Sequence, residues 1–430
     1  MKDNLDKESV MKQISALVKD YFPTSKNFVP GKTKISLAPE PPYDSEEIIE
    51  AIDSLISTNV TMGKKVQEFE KEFANYIGVK HAVMVNSGSS ANLLSLSILT
   101  NPQLKERFKP GDEIITPALS WVTTVYPIVN NGLKPVLVDV DPDTFNINPN
   151  NIEEAITEKT KGILPIHVIG NPAEMDKIKN IAEKHKLVLI EDCCEAHGAE
   201  CNQNKVGSFG DMSTFSFYLS HHMTTIEGGM LLTNNEEYYE LGKALRAFGW
   251  IRDLKNKSEL ASRFSNIDSR FLFVNLGFNI RPTELQGSFG ICQLKKLDDF
   301  IRIRRHNLDF WNKILAKYSE YIQIPQEKPN CSSVSFGYSI LVKENAPFTL
   351  KQLMDFLESK KIETRTIMSG NIVNQPVSKY IDYRISGSLT NSDKIMKNAL
   401  WFANHHRIGT PEREYIAKSI SEFIDNKMRK

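Results

Sequence analysis

The 430-residue chain predicts an α/β fold in two parts, a large domain built on a mostly parallel sheet and a smaller C-terminal α+β domain. Three observations carry this reading. Short apolar runs rich in β-formers alternate with segments of helical period, the pattern of a sheet covered by helices on both faces. The pattern changes after Lys295 to one long helical stretch followed by a separate strand-and-helix region. The length is also enough to bury a large core and to divide in two.

The elements follow in order. Residues 1–40 read as an N-terminal extension, with an amphipathic segment at Lys7–Tyr21 and then a loop rich in proline and lysine. Residues 41–295 read as the large domain. Its strands are predicted at His81–Val85, Glu113–Ile115, Pro135–Val140, Gly162–Ile166, Leu187–Ile190, Ser213–Phe217 and Met230–Leu232, with helices at Ser90–Leu99 and Met175–His185. Residues 296–430 read as the small domain, opening on a helix at Lys296–Tyr318 and closing on one at Glu412–Met428. No repeat or low-complexity tract interrupts this order.

Composition narrows the function. Lys+Arg and Asp+Glu are equal at 53 each, so nothing in the charge balance favours nucleic acid or an anionic membrane as partner. No apolar run reaches membrane-spanning length, and the N-terminal MKDNLDKESVMKQ is too charged for a signal peptide, so a cytoplasmic protein is expected. The five cysteines include the vicinal pair Cys193-Cys194 but no CxxC. They read as buried thiols in a reducing compartment, with neither a disulfide framework nor a metal site.

In open α/β sheets, ligands sit beyond the carboxyl ends of the strands. Three segments there carry chemistry. Val85 to Asn92 (VNSGSSAN) leaves a strand and opens a helix, bringing Gly88, Ser89, Ser90 and free amides to a helix N-terminus. That end binds phosphate through unpaired N–H groups and the helix dipole, although the same Ser-Gly-Ser also serves as a plain N-cap. Asp192 follows the apolar run Leu189-Ile190 and can pair with a protonated ring nitrogen, cap a helix or bind a metal. Trp121 follows the strand before it and can stack on a ring face or lie in the core. A fourth segment, TFSFYLSHHMTTIEGGM (Thr214 to Met230), carries two adjacent histidines.

Together these segments resemble the DegT/DnrJ/EryC1/StrS family of nucleotide-sugar aminotransferases, which use pyridoxal phosphate (PLP). The likeness runs from about Thr58 to Phe423 and includes Gly63 to Gly78 (GKKVQEFEKEFANYIG), Gly111 to Asp141, Ile190 to Gly198 and Gly277 to Leu297 (GFNIRPTELQGSFGICQLKKL). It implies the aspartate aminotransferase-like architecture, fold type I of the PLP-dependent transferases. One departure stands out. Where the family writes S-F-x-x-x-K, this chain writes Ser216-Phe217-Tyr218-Leu219-Ser220-His221, and no lysine lies between Val206 and Gly242. An imidazole cannot anchor the cofactor covalently, yet it is a competent base near neutral pH. Histidine for lysine, the N-terminal extension and Gly370 to Pro376 (GNIVNQP) resemble the sugar 3-dehydratase branch. Within it the likeness is foremost to the CDP-4-keto-6-deoxyglucose enzymes, with the GDP-4-keto-6-deoxymannose enzymes as functional cousins.

The resemblance implies a site. Gly88, Ser89, Ser90 and Ser216 hold the cofactor phosphate, Trp121 stacks on the ring, Asp192 pairs with its nitrogen, Glu195 lies near its phenolic oxygen, and His221 is the base. Glu195 stands where the aminotransferases often have Gln or His. Counting back from Glu227-Gly228-Gly229 selects His221 over its neighbour His222, and His167, His197, His405 and His406 are read as structural or supporting. Asn279 matches an asparagine contributed to the phosphate site by a neighbouring subunit, which implies a homodimer. CDP-sugar members hold an iron–sulfur cluster on cysteines shortly after this loop, but Arg246 to Asn275 contains no cysteine. The expected chemistry is therefore cluster-free. A non-covalently held PLP or pyridoxamine phosphate (PMP) supports loss of the C3 hydroxyl from a nucleotide-linked 4-keto-6-deoxy sugar, and L-glutamate restores the amine. Two alternatives accompany this reading, a reductive 3-deoxygenase served by an external iron–sulfur donor and a non-catalytic PLP-binding relative of the aminotransferases.

Overall fold

The computed structural model describes residues 6–22 and 27–429. The stretch 23–26 of the predicted proline- and lysine-rich loop lies outside the described residues.

Eight strands form the main sheet: β1 (His81–Val85), β2 (Glu113–Pro117), β3 (Lys134–Val138), β4 (Thr160–Ile163), β5 (Val188–Asp192), β6 (Met212–Ser216), β7 (Gly229–Thr233) and β8 (Arg384–Ile385). Their spatial order is β1-β7-β6-β5-β4-β2-β3-β8. β7 is antiparallel to both of its neighbours, and the remaining pairs are parallel. The period-2 geometry of a strand distributes β1 between two cores. Val83 and Val85 pack with Leu94, Ile98 and Leu231 on one face, while Ala82 and Met84 pack with Phe69, Phe73 and Phe215 on the other. Burial on both faces is what made these strands read as short apolar runs.

The second sheet has four antiparallel strands, ordered Ile322–Gln323, Gly337–Val342, Ala399–Ala403 and Thr364–Thr366. Its core joins Tyr338, Ile340 and Phe402 to Trp311 of the helix Leu297–Leu315 and to Ile416, Ile420 and Phe423 of the helix Thr410–Met428. Two pieces of the chain cross the divisions expected at residues 40 and 295. Ile35 packs into the C-terminal core, its amide donating to Lys361 O at 2.8 Å, and β8 of the C-terminal segment pairs with β3 in the main sheet. The helix Lys7–Tyr21 is held against the helix Ser45–Ile56 through Lys7 and Asp53. Among the described residues no helix is long and apolar enough to cross a membrane.

The cysteine reading needs a correction. Cys201 and Cys331 are joined as a disulfide, with Cα atoms 4.0 Å apart, and leave Cys193, Cys194 and Cys292 as free thiols. The two are register partners on the antiparallel strands Glu200–Cys201 and Cys331–Ser332, which sets their side chains directly opposite one another. A separation of 130 residues hides that pairing from the sequence.

Candidate active site

The carboxyl ends of β1, β5 and β6 open on a cavity of about 810 Å³. Gly88, Ser89, Trp121, Asp192, Glu195, Ser216 and His221 line it, together with Tyr218, Phe336, Arg365 and Trp401. The sequence had offered core burial as the alternative for Trp121. Its ring is instead 52% exposed, at the start of the helix Val122–Asn130.

The helix Gly88–Leu99 begins against the cavity. Ser87 is its N-cap, accepting from the Ser90 amide at 3.1 Å, so the capping function falls one residue before the glycine. The amides of Gly88 and Ser89 precede the first intrahelical bond and point out of the helix end. Gly88 is required by close approach, because a Cβ there would meet Ser216 Cβ at 2.5 Å. Ser90 turns away, its hydroxyl donating to Asn86 Oδ1 at 2.6 Å, and does not line the cavity.

Asp192 closes β5 and is almost fully buried. Its Oδ2 accepts from Asn92 Nδ2 at 2.9 Å and from Thr124 Oγ1 at 2.8 Å, and its Oδ1 from the Cys194 amide at 3.2 Å. Three donors fix the carboxylate's direction, and neither Asn92 nor Thr124 was found by sequence reasoning. The helical spacing of Asn92 from Gly88 was the available signal. Glu195 stands beside it, its Oε2 accepting from the Ile169 amide at 3.0 Å. Burial pushes this carboxyl up to about 7, and the Asp192 charge adds to the rise against the Ile169 hydrogen bond. The turn that presents the Ile169 amide holds Gly170 at φ 82°, where a Cβ would strike Val334 O at 2.2 Å.

The adjacent histidines face apart. His221 lines the cavity with its Nδ1 2.6 Å from Cys194 O. A carbonyl only accepts, so Nδ1 carries the proton and Nε2 keeps its lone pair. Burial brings His221 down to about 4; the Cys194 bond opposes the fall, and the Arg304 charge adds to it. His222 is fully buried, with its Nε2 2.6 Å from Val334 O, and has no place in the cavity wall. The phosphate end, the buried carboxylate and the imidazole thus surround one space, a donor set that fits a phosphorylated pyridine cofactor, and the lysine on the cavity wall, Lys34, is paired with Glu363 at 2.9 Å.

Asn279 lies outside this cavity, exposed, with its Oδ1 accepting from Arg281 Nε at 3.1 Å. Two further clusters of potential metal ligands are already occupied by protein donors. Glu191, beside His167 and Cys193, accepts from the amides of Gly207, Phe209 and Gly210, each at 2.8 Å. Asp44, Glu46 and Glu47 are bridged by Lys296.

The sequence pattern of the DegT/DnrJ/EryC1/StrS aminotransferase family matches residues 42–421. GDP-4-keto-6-deoxy-D-mannose 3-dehydratase of Yersinia pseudotuberculosis is 41% identical over 367 residues, covering 84% of this chain and 92% of its own. The Escherichia coli GDP-4-keto-6-deoxy-D-mannose-3-dehydratase with bound hydrated PLP superposes with a TM-score of 0.84 at 39% identity, over 90% of this chain and 99% of that one. A GDP-4-keto-6-deoxymannose-3-dehydratase holding a trapped PLP-glutamate geminal diamine gives 0.84 and 39%, over 90% of this chain and 100% of its own. With its fold, its cavity and these likenesses in agreement, the chain belongs to the DegT/DnrJ/EryC1/StrS aminotransferase family.

Proposed function

We propose that this protein is a PLP/PMP-dependent 3-dehydratase that removes the C3 hydroxyl of a nucleotide-linked 4-keto-6-deoxy sugar. The observation that carries the reading is His221, which stands in the family's lysine position and turns a free Nε2 into the cavity. The relatives that support it are the GDP-sugar enzymes rather than the CDP-sugar enzymes that the sequence put first, in keeping with the cysteine-free stretch after Arg246.

When bound, the cofactor supplies an electron sink conjugated with the sugar's C4, which makes the C3 oxygen a leaving group. The chain's own groups do the rest. Gly88, Ser89 and Ser216 hold the phosphate, Asp192 holds a proton on the ring nitrogen, and Trp121 covers the ring face. Glu195, near neutral in pKa, sits by the phenolic oxygen. His221 Nε2 accepts the proton released at the amine-bearing carbon and delivers it to the departing C3 oxygen as water forms. Overall, one sugar hydroxyl is replaced by hydrogen while one L-glutamate becomes 2-oxoglutarate and ammonia.

Asn279 acts in the neighbouring subunit's phosphate site, which makes a homodimer the working unit. Its exposure and its absence from its own cavity wall support this reading. Incubation with PLP, L-glutamate and a panel of CDP-, GDP- and dTDP-4-keto-6-deoxy sugars tests the function. Mass spectrometry should show a product lighter by one oxygen, with one 2-oxoglutarate and one ammonia per turnover. Sustained deoxygenation without an amino donor would overturn the reading.

A further inference from the structure

Arg304, on the helix Leu297–Leu315, is completely buried and has no carboxylate partner among the described residues. Its guanidinium donates only to carbonyls. Nη1 reaches Phe336 O at 3.0 Å, Ser335 O at 3.3 Å and Asn404 O, and Nη2 reaches His221 O at 3.4 Å, while Nε has no partner. These contacts tie the histidine loop to the start of the strand Gly337–Val342 and to the turn after the strand Ala399–Ala403. Neutral donors can make the same ties without the desolvation of a full charge. A buried cation with no counter-ion, touching the residue that bears the base, therefore calls for an electrostatic role.

We infer that Arg304 is a positioning residue that acts through His221, fixing its carbonyl and disfavouring its imidazolium so that the ring returns to the proton-accepting form. The inference rests on His221 being the base. A cation beside a base has two effects of use here: it keeps the ring neutral between turnovers, and it drives the captured proton onward to the departing oxygen. The other groups around His221 do not duplicate it. Asp192 favours the imidazolium, Glu195 lines the same cavity, and Cys194 presents its carbonyl. Tyr218 lies edge-on at 6.2 Å between ring centroids, His197 at 6.4 Å, and His222 is adjacent in sequence. Burial is the larger influence on His221, and Arg304 is the charge that acts in the same direction.

Charge and hydrogen bonding separate with two variants. Arg304→Gln keeps donors for the carbonyls and removes the charge, and Arg304→Lys keeps the charge and alters the ties. In cofactor-free protein, the rate of diethylpyrocarbonate labelling at His221, mapped by peptide mass spectrometry, is measured against pH. The inflection should move up by about one unit or more in Arg304→Gln and stay near the wild-type position in Arg304→Lys. The acid limb of kcat/KM should move with it. An unchanged inflection in Arg304→Gln, or an equal shift in both variants, would overturn the inference and leave Arg304 as a structural tie. Should Arg304→Gln not fold, Arg304→Lys decides alone, since a large shift there contradicts a role for the charge. Normal turnover by His221→Asn would instead contradict the functional reading, while the labelling still reports the Arg304–His221 coupling.

Discussion

His221 and His222 share a sequence and have opposite surroundings, one at the wall of the cavity and the other sealed under Val334. His221→Asn should lower kcat by roughly 10²–10⁴, the usual contribution of a general base, with PLP affinity close to wild type. His222→Asn should act on thermal stability first, because it leaves a buried carbonyl unpaired. A second prediction concerns the missing amine. Borohydride should fix no phosphopyridoxyl group on the wild-type chain and should fix one at position 221 in His221→Lys, as peptide mapping would show. At this scale the sequence was legible where a family frame fixed the spacing, as for His221 and Asp192. It was ambiguous where one residue type serves two environments. Trp121 could be core or ring cover until its exposure was known, and Ser87 proved to be the cap that leaves the next amides free. Arg304 gave no signal at all, because nothing in an amphipathic helix distinguishes a buried arginine from a solvated one.

Elements hold these residues in place, and the helix Gly88–Leu99 meets β6 with room for no side chain between them. Gly88→Ala should cost about 1–3 kcal/mol, the range for overpacking a close contact, and should weaken PLP binding as the helix end is displaced. Chemical denaturation and a PLP titration of the same variant check both. The main-sheet strands β1 to β7 were legible from their apolar runs, β1 at both ends and the others with ends misplaced by up to three residues. β2 continues through Pro117 and β5 through Asp192, a proline and a carboxylate that usually argue for a strand's end. Periodicity carries no direction, so the antiparallel β7 between β1 and β6 could not be read. Nor could the opposition of Cys201 and Cys331, which depends on two short strands meeting from distant parts of the chain.

The whole molecule buries a set of neutral histidines. Burial brings His221 down to about 4 and His405 to about 3, and it pushes His197, His222 and His406 well below the ordinary value. In the unfolded chain these rings take up protons near pH 6.5. Below that pH the unfolded state therefore binds more protons than the folded state, and stability falls as pH falls from about 6.5 toward 4 and lower. Glu195, raised to about 7, has the opposite sign, one group against five. Thermal unfolding of cofactor-free protein should show Tm dropping steadily across that window. The sequence placed a boundary after Lys295 from the change of pattern there, and it did not foresee the return of β8 to the main sheet, because two residues carry too little pattern. Assembly is tested by mixing. Asn279→Ala should weaken PLP binding by about 1–3 kcal/mol. Exchanged dimers with an Asp192→Ala partner should regain some activity through one intact site.

The central claim is that a site with His221 in place of the family's lysine uses its cofactor to expel the C3 oxygen and does not transaminate C4. Its most direct test is a single turnover of an accepted 4-keto-6-deoxy sugar nucleotide carrying ¹⁸O at C3, with PLP and L-glutamate. The account predicts that wild-type protein releases the label into water and that His221→Asn retains it on the sugar. A 4-amino sugar that keeps its labelled C3 hydroxyl, or equal loss of label in both proteins, would contradict it.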